Sequence, residues 1–532
     1  MKKEFSIKCG ASKNKFLSGQ LACLFCVVLC TGGNAAVTAA DNAAPTNEVA
    51  ASKKAELPIP KEESSVTNHQ VNIGGQEIAY TATAGNLLIR KGDDPVASMF
   101  YVAYNRDGET NLEQRPVTFF YNGGPGSSTI WLHMGSFGPR IVETANAQAT
   151  GPAPYRLVNN GDSLLDRSDL VFIDAVSTGF SRVVGKGEGT NFWSVDGDVE
   201  AFGKFITRYV TLNHRWNSPK FLFGESYGTT RSAALVYYLQ AQGMNFNGVV
   251  LLSSILNYAA RAPGLDDPFV NFLPSYAAIA WFHDKLPRKP ADLGAFLQQA
   301  RDFAAGEYAQ ALAKGQTLPA AQVDAVAAKM HEFTGLSVQY LKEANLRVEA
   351  SRFRKELLRD ERRTVGRYDG RFEGIDVDAA GEAPASDPSS TAITGAFTAS
   401  FNSYLANELN YSHDTPYQIR GSDIKDWNFK HKLPDFLGGS TPYPLPYVVD
   451  DLGQAMRENP HLKVLSANGY FDLATPFFAT ERDLNHMELD PSLRDHVIFS
   501  YYPSGHMVYL NPEARKTFRA DLAKFYDSAT QP

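Results

Sequence analysis

The sequence predicts an α/β fold with a mostly parallel central sheet, helices on both faces of that sheet and a helical cap insertion. Short apolar runs rich in β-branched and aromatic residues are typical of buried strands, and they occur at 117–121, 170–174, 220–224, 248–252, 462–467 and 496–502. Between the second and third runs, apolar residues at three-to-four spacing over 199–210 predict an amphipathic helix. This strand–helix–strand order favours parallel strands that are covered on both faces.

Composition narrows the class of protein. A chain of 532 residues with 43% hydrophobic residues can bury a large core, which argues against a disordered protein. The formal net charge of −7 and the lack of a basic block argue against a nucleic-acid partner. All four cysteines lie within the first 30 residues. A cysteine nucleophile, a cysteine-ligated metal and a disulfide framework are therefore excluded from the rest of the chain.

Residues 1–40 have the pattern of a secretory signal peptide. Lysines between positions 2 and 15 precede the apolar run 21–30, and Ala39 and Ala40 suit a cleaved bond. The run is too short to span a bilayer of about 30 Å. A buried core helix is less favoured because of the flanking lysines and glycines, and Leu29 argues against a lipoprotein anchor at Cys30. We therefore expect an exported protein, periplasmic or extracellular, with no membrane span in the mature chain.

The rest of the chain divides by pattern into four parts. An Ala/Pro/Lys/Glu-rich flexible leader is expected at 41–65. The first part of the α/β core is expected at 66–259, beginning with antiparallel edge strands at 70–89 and 99–104. Helical periodicity, as in 348–363, predicts the helical cap at 260–445. The second part of the core then follows at 446–532.

The first chemical signal is the sequence GESYG at 224–228, in which Ser226 is the central residue. A predicted strand leads into it and a predicted helix at 229–242 follows. In this context a G-x-S-x-G motif indicates a nucleophile elbow, a sharp turn that presents the serine hydroxyl at the end of the sheet. The alternative, a surface turn with an ordinary serine, is disfavoured by the flanking strand and helix.

A serine nucleophile needs a base, and the base needs an orienting carboxylate. Asp472 follows the strand predicted at 462–467, and His506 follows the strand predicted at 496–502. Both residues therefore belong to loops at the carboxyl ends of strands, where active sites of α/β sheets lie. The chain order of serine, acid and histidine is that of sheet hydrolases. We predict a Ser226–His506–Asp472 triad.

A glycine-rich turn at 122–128, NGGPGSS, follows the strand predicted at 117–121. Such a turn can direct amides inward as half of an oxyanion hole, and the amide after the nucleophile, that of Tyr227, supplies the other half. A phosphate-binding loop is the rival interpretation, but the G-x-x-x-x-G-K-[ST] pattern does not occur. Metal dependence is not indicated either, because the chain has no H-E-x-x-H motif.

Several of these segments occur together in one order between about residue 115 and the C-terminus. They are the glycine-rich turn with Gly138-Pro139, DAVSTGFS at 174–181, the elbow, 468–472 and 505–507. With these motifs the sequence resembles the serine carboxypeptidase family of α/β-hydrolases, and specifically its bacterial members. The resemblance implies a serine-type carboxypeptidase that acts on peptides with a free C-terminus, without a cofactor.

The resemblance also implies site roles. The amides of Gly124 and Tyr227 would bind the oxyanion, and Asn122 and Glu225 would hold the C-terminal carboxylate of the substrate. Two adjacent carboxylates repel unless they share a proton, which accounts for the family's preference for acidic pH.

This chain departs from the family's pattern at three positions. Phe120 replaces a tryptophan, Ser127 replaces a cysteine, and Ser136 replaces a second carboxylate-binding glutamate. Arg140 offers an alternative clamp, because a guanidinium binds a carboxylate in a bidentate manner, although a structural arginine is the simpler interpretation. Because this glutamate is missing, a second function is also possible: an esterase or acyltransferase that uses the same triad. An exported binding protein with a vestigial triad is less favoured, since every catalytic position is filled.

Overall fold

A computed structural model of the protein describes residues 56–434, 439 and 442–531. The predicted signal peptide at 1–40, the four cysteines and most of the predicted leader at 41–65 lie outside the described residues. The predictions about export therefore stay predictions.

The strands follow the apolar runs of the sequence. Six of the strands correspond to the predicted runs, with boundaries that differ by no more than two residues. In chain order the strands are β1 (Ser64–Ile73), β2 (Gln76–Lys91), β3 (Asp94–Arg106), β4 (Val117–Tyr121), β5 (Arg140–Val142), β6 (Leu157–Asn159), β7 (Asp169–Ile173), β8 (Arg182–Val183), β9 (Lys220–Glu225), β10 (Gly248–Leu252), β11 (Thr364–Val365), β12 (Glu373–Gly374), β13 (Lys463–Gly469) and β14 (Val497–Tyr502).

The central sheet has the order β1-β2-β3-β7-β4-β9-β10-β13-β14, with β8 pairing to β3. From β7 to β14 every neighbouring pair is parallel, whereas β1, β2 and β3 form the antiparallel edge that the sequence predicts. Because β4, β9, β13 and β14 are parallel, their carboxyl ends meet at one edge of the sheet. The loops that carry the predicted site residues all begin there.

Helices cover both faces of this sheet and fill the insertion. They are α1 (Ile130–Gly135), α2 (Val195–Leu212), α3 (Tyr227–Gln240), α4 (Asp267–Phe282), α5 (Leu293–Phe303), α6 (Ala309–Lys314), α7 (Ala320–Thr334), α8 (Val338–Glu343), α9 (Ala350–Glu356), α10 (Pro388–Asn407), α11 (Val449–Glu458), α12 (Phe477–Asn485) and α13 (Pro512–Thr530). Short 3₁₀ segments occur at Gly189–Asn191, Ala259–Arg261, Gly315–Thr317, Arg359–Glu361, Pro491–His496 and Val508–Leu510, and a π turn at Ala304–Tyr308.

The alternation of side chains along the strands separates two cores. Phe119 and Tyr121 of β4 pack with α2, α3 and α11, whereas Phe120 between them packs with α10 and α13 on the opposite face. Successive side chains of a strand point to opposite faces, so strands that are apolar at every position require covering on both sides. A third core lies among α4, α5 and α7.

The predicted cap at 260–445 contains α4 to α10 and most of this third core, which also includes Phe471, Leu473, Phe477 and Phe478. Two local predictions within it need correction. The helix predicted at 348–363 is shorter, since α9 ends at Glu356 and a 3₁₀ turn follows. The loop predicted near 381–391 ends early, because Pro388 begins α10 with Asp387 as its N-cap. The boundaries of the cap as a domain stay a prediction.

His431 fastens the connection between α10 and α11 to the core. Its Nδ1 lies 2.7 Å from Asp196 Oδ1 at the start of α2, and its Nε2 lies 3.2 Å from Asp451 Oδ2 in α11. Burial opposes protonation of this imidazole, but hydrogen bonds to the two carboxylates outweigh burial and raise the pKa of His431 to about 9. A protonated histidine therefore bridges three elements.

Candidate active site

Ser226 lies in a sharp turn between β9 and α3. Its backbone has φ 61° and ψ −130°, a conformation that is strained for a residue with a side chain. The turn is tight because Gly224 lies against the first turn of α3, where an added Cβ would come within 2.2 Å of the carbonyl oxygen of Gly228. Ser226 is half-buried and lines a cavity. The sequence-predicted elbow thus has the geometry of one.

His506 and Asp472 form a buried pair in the loops after β14 and β13. His506 Nδ1 lies 2.7 Å from Asp472 Oδ2, and the other carboxylate oxygen accepts hydrogen bonds from the amides of Ala474 and Thr475. Burial opposes protonation of His506, but the charge of Asp472 and its hydrogen bond outweigh burial and raise the pKa of His506 above its usual value. Because Nδ1 is occupied by Asp472, Nε2 is the ring nitrogen left for proton transfer.

A short part of the insertion, residues 367–370, runs across both of these loops, and we name it the strap. Because the strap hydrogen-bonds to the backbone on both sides, it fixes the spacing between the acid and the base. Its bonds are Leu473 N to Arg367 O (3.0 Å), Gly370 N to Phe471 O (2.8 Å), His506 N to Tyr368 O (2.6 Å) and Gly505 N to Asp369 Oδ2 (3.2 Å). No local motif signals this role, so sequence reasoning missed it.

The glycine-rich turn after β4 lies directly against the elbow. A Cβ added to Gly123 would come within 2.3 Å of the amide nitrogen of Tyr227, so only glycine permits this approach. Within the described residues, the amides of Gly124 and Tyr227 donate no hydrogen bond to the protein. Both are therefore available as donors to an oxyanion.

Asn122 and Glu225 lie together below the nucleophile. The amide of Leu132 donates to Asn122 Oδ1 at 2.9 Å, and the side chain of Asn122 also hydrogen-bonds to Glu225. Tyr509 donates its hydroxyl to Glu225 Oε2 at 2.8 Å. Burial raises the pKa of Glu225 to about 7. Near neutral pH this carboxyl is therefore partly protonated and able to donate a hydrogen bond to an anion.

The structure does not support the alternative clamp. Arg140, in β5, pairs with Glu408 at 3.0 Å and is not among the described residues that line the cavity, so the interpretation of Arg140 as a carboxylate clamp is wrong. Ser136, which stands where a second glutamate was expected, is buried and donates its hydroxyl to the carbonyl oxygen of Leu132. The hydroxyl of Ser136 is therefore used within the protein and does not replace the missing carboxyl of the clamp.

The cavity of about 260 Å³ brings most of the predicted site residues together. Asp472 and Tyr227 are not among its lining residues, as their side chains lie behind the surface. The insertion adds three arginines that no motif in the sequence signals. The lining residues are Asn122, Gly123, Gly124, Pro125, Gly126, Ser127, Trp131, Glu225, Ser226, Ile255, Tyr258, Arg261, Arg367, Tyr368, Ser390, Ile393, Arg420, Phe429, Ala474, Thr475, His506 and Met507.

A buried ion pair supports the site from behind. Arg231 of α3 pairs with Asp198 of α2 at 2.7 Å, and its Nη1 donates to the carbonyl oxygen of Asn122 at 2.9 Å. Its guanidinium also lies 5.3 Å from the ring centre of Tyr227. Arg231 thus joins the glycine-rich turn to the helix that begins at the elbow.

Among the described residues, no group of three or more histidine, aspartate or glutamate residues is arranged to hold a metal ion. Within the same residues, no helix combines the length and the apolar character that crossing a bilayer requires.

Comparisons with known proteins find similarity to serine carboxypeptidases. Residues 76–290 match the family model described as serine carboxypeptidase. A curated relative, serine carboxypeptidase-like 45 of Arabidopsis thaliana, is 25% identical over 209 residues, which cover 37% of this chain and 42% of the relative. The match therefore spans less than half of that relative's length. It supports the family resemblance, although it does not distinguish a bacterial type.

A solved structure shows the same fold. The prohormone-processing carboxypeptidase Kex1 from Saccharomyces cerevisiae superimposes with a TM-score of 0.50 over 84% of this chain and 91% of its own chain, at 13% sequence identity. At that identity the likeness concerns the fold. Together with the sheet order, it shows an α/β-hydrolase fold.

Proposed function

We propose that this chain is an exported serine-type carboxypeptidase that releases C-terminal amino acids from peptides through a covalent acyl-enzyme. One observation carries the proposal: the strained Ser226, the His506–Asp472 pair and the Asn122–Glu225 pair all converge on one cavity or directly behind its wall. A nucleophile beside a carboxylate-binding pair is what cleavage at a chain end requires. The match of residues 76–290 to serine carboxypeptidases supports the same activity.

The first half of the reaction forms the acyl-enzyme. Ser226 Oγ attacks the last peptide carbonyl carbon while its proton moves to His506 Nε2. The carbonyl oxygen becomes an oxyanion, which the amides of Gly124 and Tyr227 stabilise. The carbon–nitrogen bond then breaks as His506 gives its proton to the leaving amino acid. Asp472 keeps the imidazole oriented and stabilises its charge during both transfers.

The second half of the reaction regenerates the free enzyme. A water molecule attacks the ester carbonyl carbon and gives a proton to His506 Nε2. The ester bond to Ser226 Oγ breaks, and the serine recovers its proton from His506. The products are the shortened peptide and free Ser226.

Glu225 and Asn122 confer the restriction to a free chain end. A protonated Glu225 and the amide of Asn122 donate hydrogen bonds to the α-carboxylate of the last residue. An amidated C-terminus has no anion to accept them. We therefore expect a free-acid dipeptide to be cleaved faster than its amide by at least about tenfold, the order of one charge-assisted hydrogen bond.

The test compares blocked dipeptides with free and with amidated C-termini, beside a simple ester. Preference for the free acid supports a carboxypeptidase, and equal cleavage of acid and amide excludes one. Turnover of the ester alone would instead indicate an esterase or acyltransferase. That alternative is open because Ser136 leaves the site without a second carboxyl at this position.

Covalent labelling tests the nucleophile separately. A fluorophosphonate should label the native protein, and Ser226→Ala should abolish the label. Ser528→Ala is a matched control, because the hydroxyl of Ser528 in α13 donates to the carbonyl oxygen of Phe525, away from the cavity. Labelling that persists in Ser226→Ala would contradict the assignment of the nucleophile.

A further inference from the structure

Three arginines of the insertion line the candidate active site, and we name them the arginine cluster: Arg261, Arg367 and Arg420. Glu225 is the one carboxyl among the described residues that line the cavity with them. The cavity thus has a local excess of positive charge, although the whole chain carries a net charge of −7. A general attraction of anions to the protein surface is therefore not expected.

In the part of the chain that the structure describes, no carboxylate forms a salt bridge with any of the three guanidinium groups. Other arginines of the same insertion are paired, such as Arg301 with Glu481 at 2.7 Å and Arg347 with Asp266 at 2.8 Å. The three side chains are exposed, so their charges remain available to an anion that enters the cavity.

The three arginines line the same cavity as Ser226 and reach it from three different segments. Arg420 lies beside the glycine-rich turn, where it forms a β-bridge with Ser127. Arg367 belongs to the strap over the His506 loop, and Arg261 donates to the carbonyl oxygen of Ala474 at 2.9 Å, next to the Asp472 loop.

We propose that the arginine cluster binds an acidic side chain of the substrate, so that the enzyme prefers peptides with aspartate or glutamate beside the cleaved bond. This inference rests on the proposed carboxypeptidase activity and names its substrate class. The α-carboxylate is already assigned to Asn122 and Glu225, which leaves the guanidinium groups for a second anion. A guanidinium can bind a carboxylate through two parallel hydrogen bonds.

The experiment uses isosteric pairs of blocked dipeptides with the full mature protein. Benzyloxycarbonyl-Phe-Glu is compared with benzyloxycarbonyl-Phe-Gln, and benzyloxycarbonyl-Glu-Phe with benzyloxycarbonyl-Gln-Phe, at pH 6. We expect kcat/KM to be at least about tenfold higher for the acidic member of one pair, the order of one charge-assisted hydrogen bond. The pair that shows the preference identifies whether the leaving residue or the preceding one contacts the cluster.

The variants Arg261→Gln, Arg367→Gln and Arg420→Gln should each lower kcat/KM for the acidic peptide more than kcat/KM for the neutral peptide, so that the ratio between the two falls. Arg363→Gln is the matched control, because Arg363 lies on the same segment as Arg367 but is not among the residues that line this cavity. The ratio should also fall between 50 mM and 500 mM NaCl, since salt screens exposed charges.

Equal kcat/KM for the acidic and neutral members of both pairs in the native protein would overturn the inference, whatever the variants do. A loss of activity in the arginine variants that is equal for acidic and neutral peptides would also overturn it, because the arginines would then bind the α-carboxylate or hold the structure. Failure to cleave any of the four peptides would refute the proposed function and this inference with it. Cleavage without acidic preference refutes the inference alone.

Discussion

The proton on Glu225 gives the sharpest prediction for this site. Glu225→Gln replaces the carboxyl by an amide that can still donate a hydrogen bond but does not titrate. Only the protonated form of Glu225 can donate to the α-carboxylate of a peptide, and burial raises the pKa of this group to about 7. In the native protein we therefore expect kcat/KM for free-acid peptides to fall as the pH rises through about 7. In the variant this fall should disappear.

The size of the effect follows from the titration of one group. The protonated fraction of Glu225 is about a tenth at pH 8 and about a hundredth at pH 9. The pKa of the base His506 is also raised, so the native rate should drop tenfold for each pH unit once the pH is high enough for His506 to be deprotonated. The charged and titratable groups around Glu225 are His506, Asp472 and Tyr509. His506 favours the ionised form and Asp472 opposes it, so the limb reports the coupled group of residues.

The assay measures kcat/KM from pH 5 to pH 9.5 on a free-acid dipeptide and on a simple ester. The ester has no α-carboxylate, so its profile should lack the limb near pH 7 in both proteins. Glu408→Gln is a matched control, because Glu408 pairs with Arg140 away from the cavity. Below pH 6, Glu225→Gln should stay within about threefold of the native rate, as both side chains are then neutral donors.

The result that would refute this reasoning is an unchanged limb near pH 7 in Glu225→Gln. The limb would then belong to another group, and Glu225 would not hold the substrate in its protonated form. A limb that appears equally with the ester would also contradict the assignment, since no carboxylate is bound in that reaction.

Two further predictions concern stability. Arg231→Met leaves Asp198 buried without its partner, so we expect a loss of about 3–5 kcal/mol in the free energy of unfolding in urea. Adding Asp198→Leu should restore much of that loss. A loss under about 1 kcal/mol in Arg231→Met would show that the pair is not structurally important. His431 is more basic in the folded protein than in the unfolded chain, so its stabilisation is fully present below pH 6.5 and is lost as the pH rises towards about 9. The melting temperature of the native protein should therefore fall more between pH 6 and pH 9.5 than that of His431→Gln, and parallel falls would contradict the bridge.

The strands were predictable because their signals are local, and so were the places of the proposed triad residues in the loops that follow them. A buried parallel strand is apolar at nearly every position, as in β4 and β10, whose boundaries match the prediction. The turn after such a strand fixes where a side chain emerges, so Ser226, Asp472 and His506 could be named from their places after β9, β13 and β14. The short distance between His506 and Asp472 follows from the pairing of adjacent strands.

Features of the site that come from the insertion could not be predicted in this way. Arg367 and Arg420 are exposed residues in irregular segments, and they approach the cavity through contacts between segments far apart in the chain. The prediction that Arg140 clamps the substrate carboxylate was wrong for the same reason. Its place just after Gly138-Pro139 suggested the site, but Glu408, 268 residues later, pairs with it instead. Sequence spacing carries no information about such partners.

The strap connects the proposed specificity to the base. Its backbone holds the His506 loop through Tyr368 O, and its first side chain, that of Arg367, belongs to the arginine cluster. The charge of Arg367 lowers the pKa of His506, against the larger effect of Asp472. An acidic side chain bound to Arg367 would neutralise that charge, which makes His506 more basic. In the proposed mechanism, binding of the preferred substrate and proton abstraction from Ser226 would therefore be linked through one residue of the insertion.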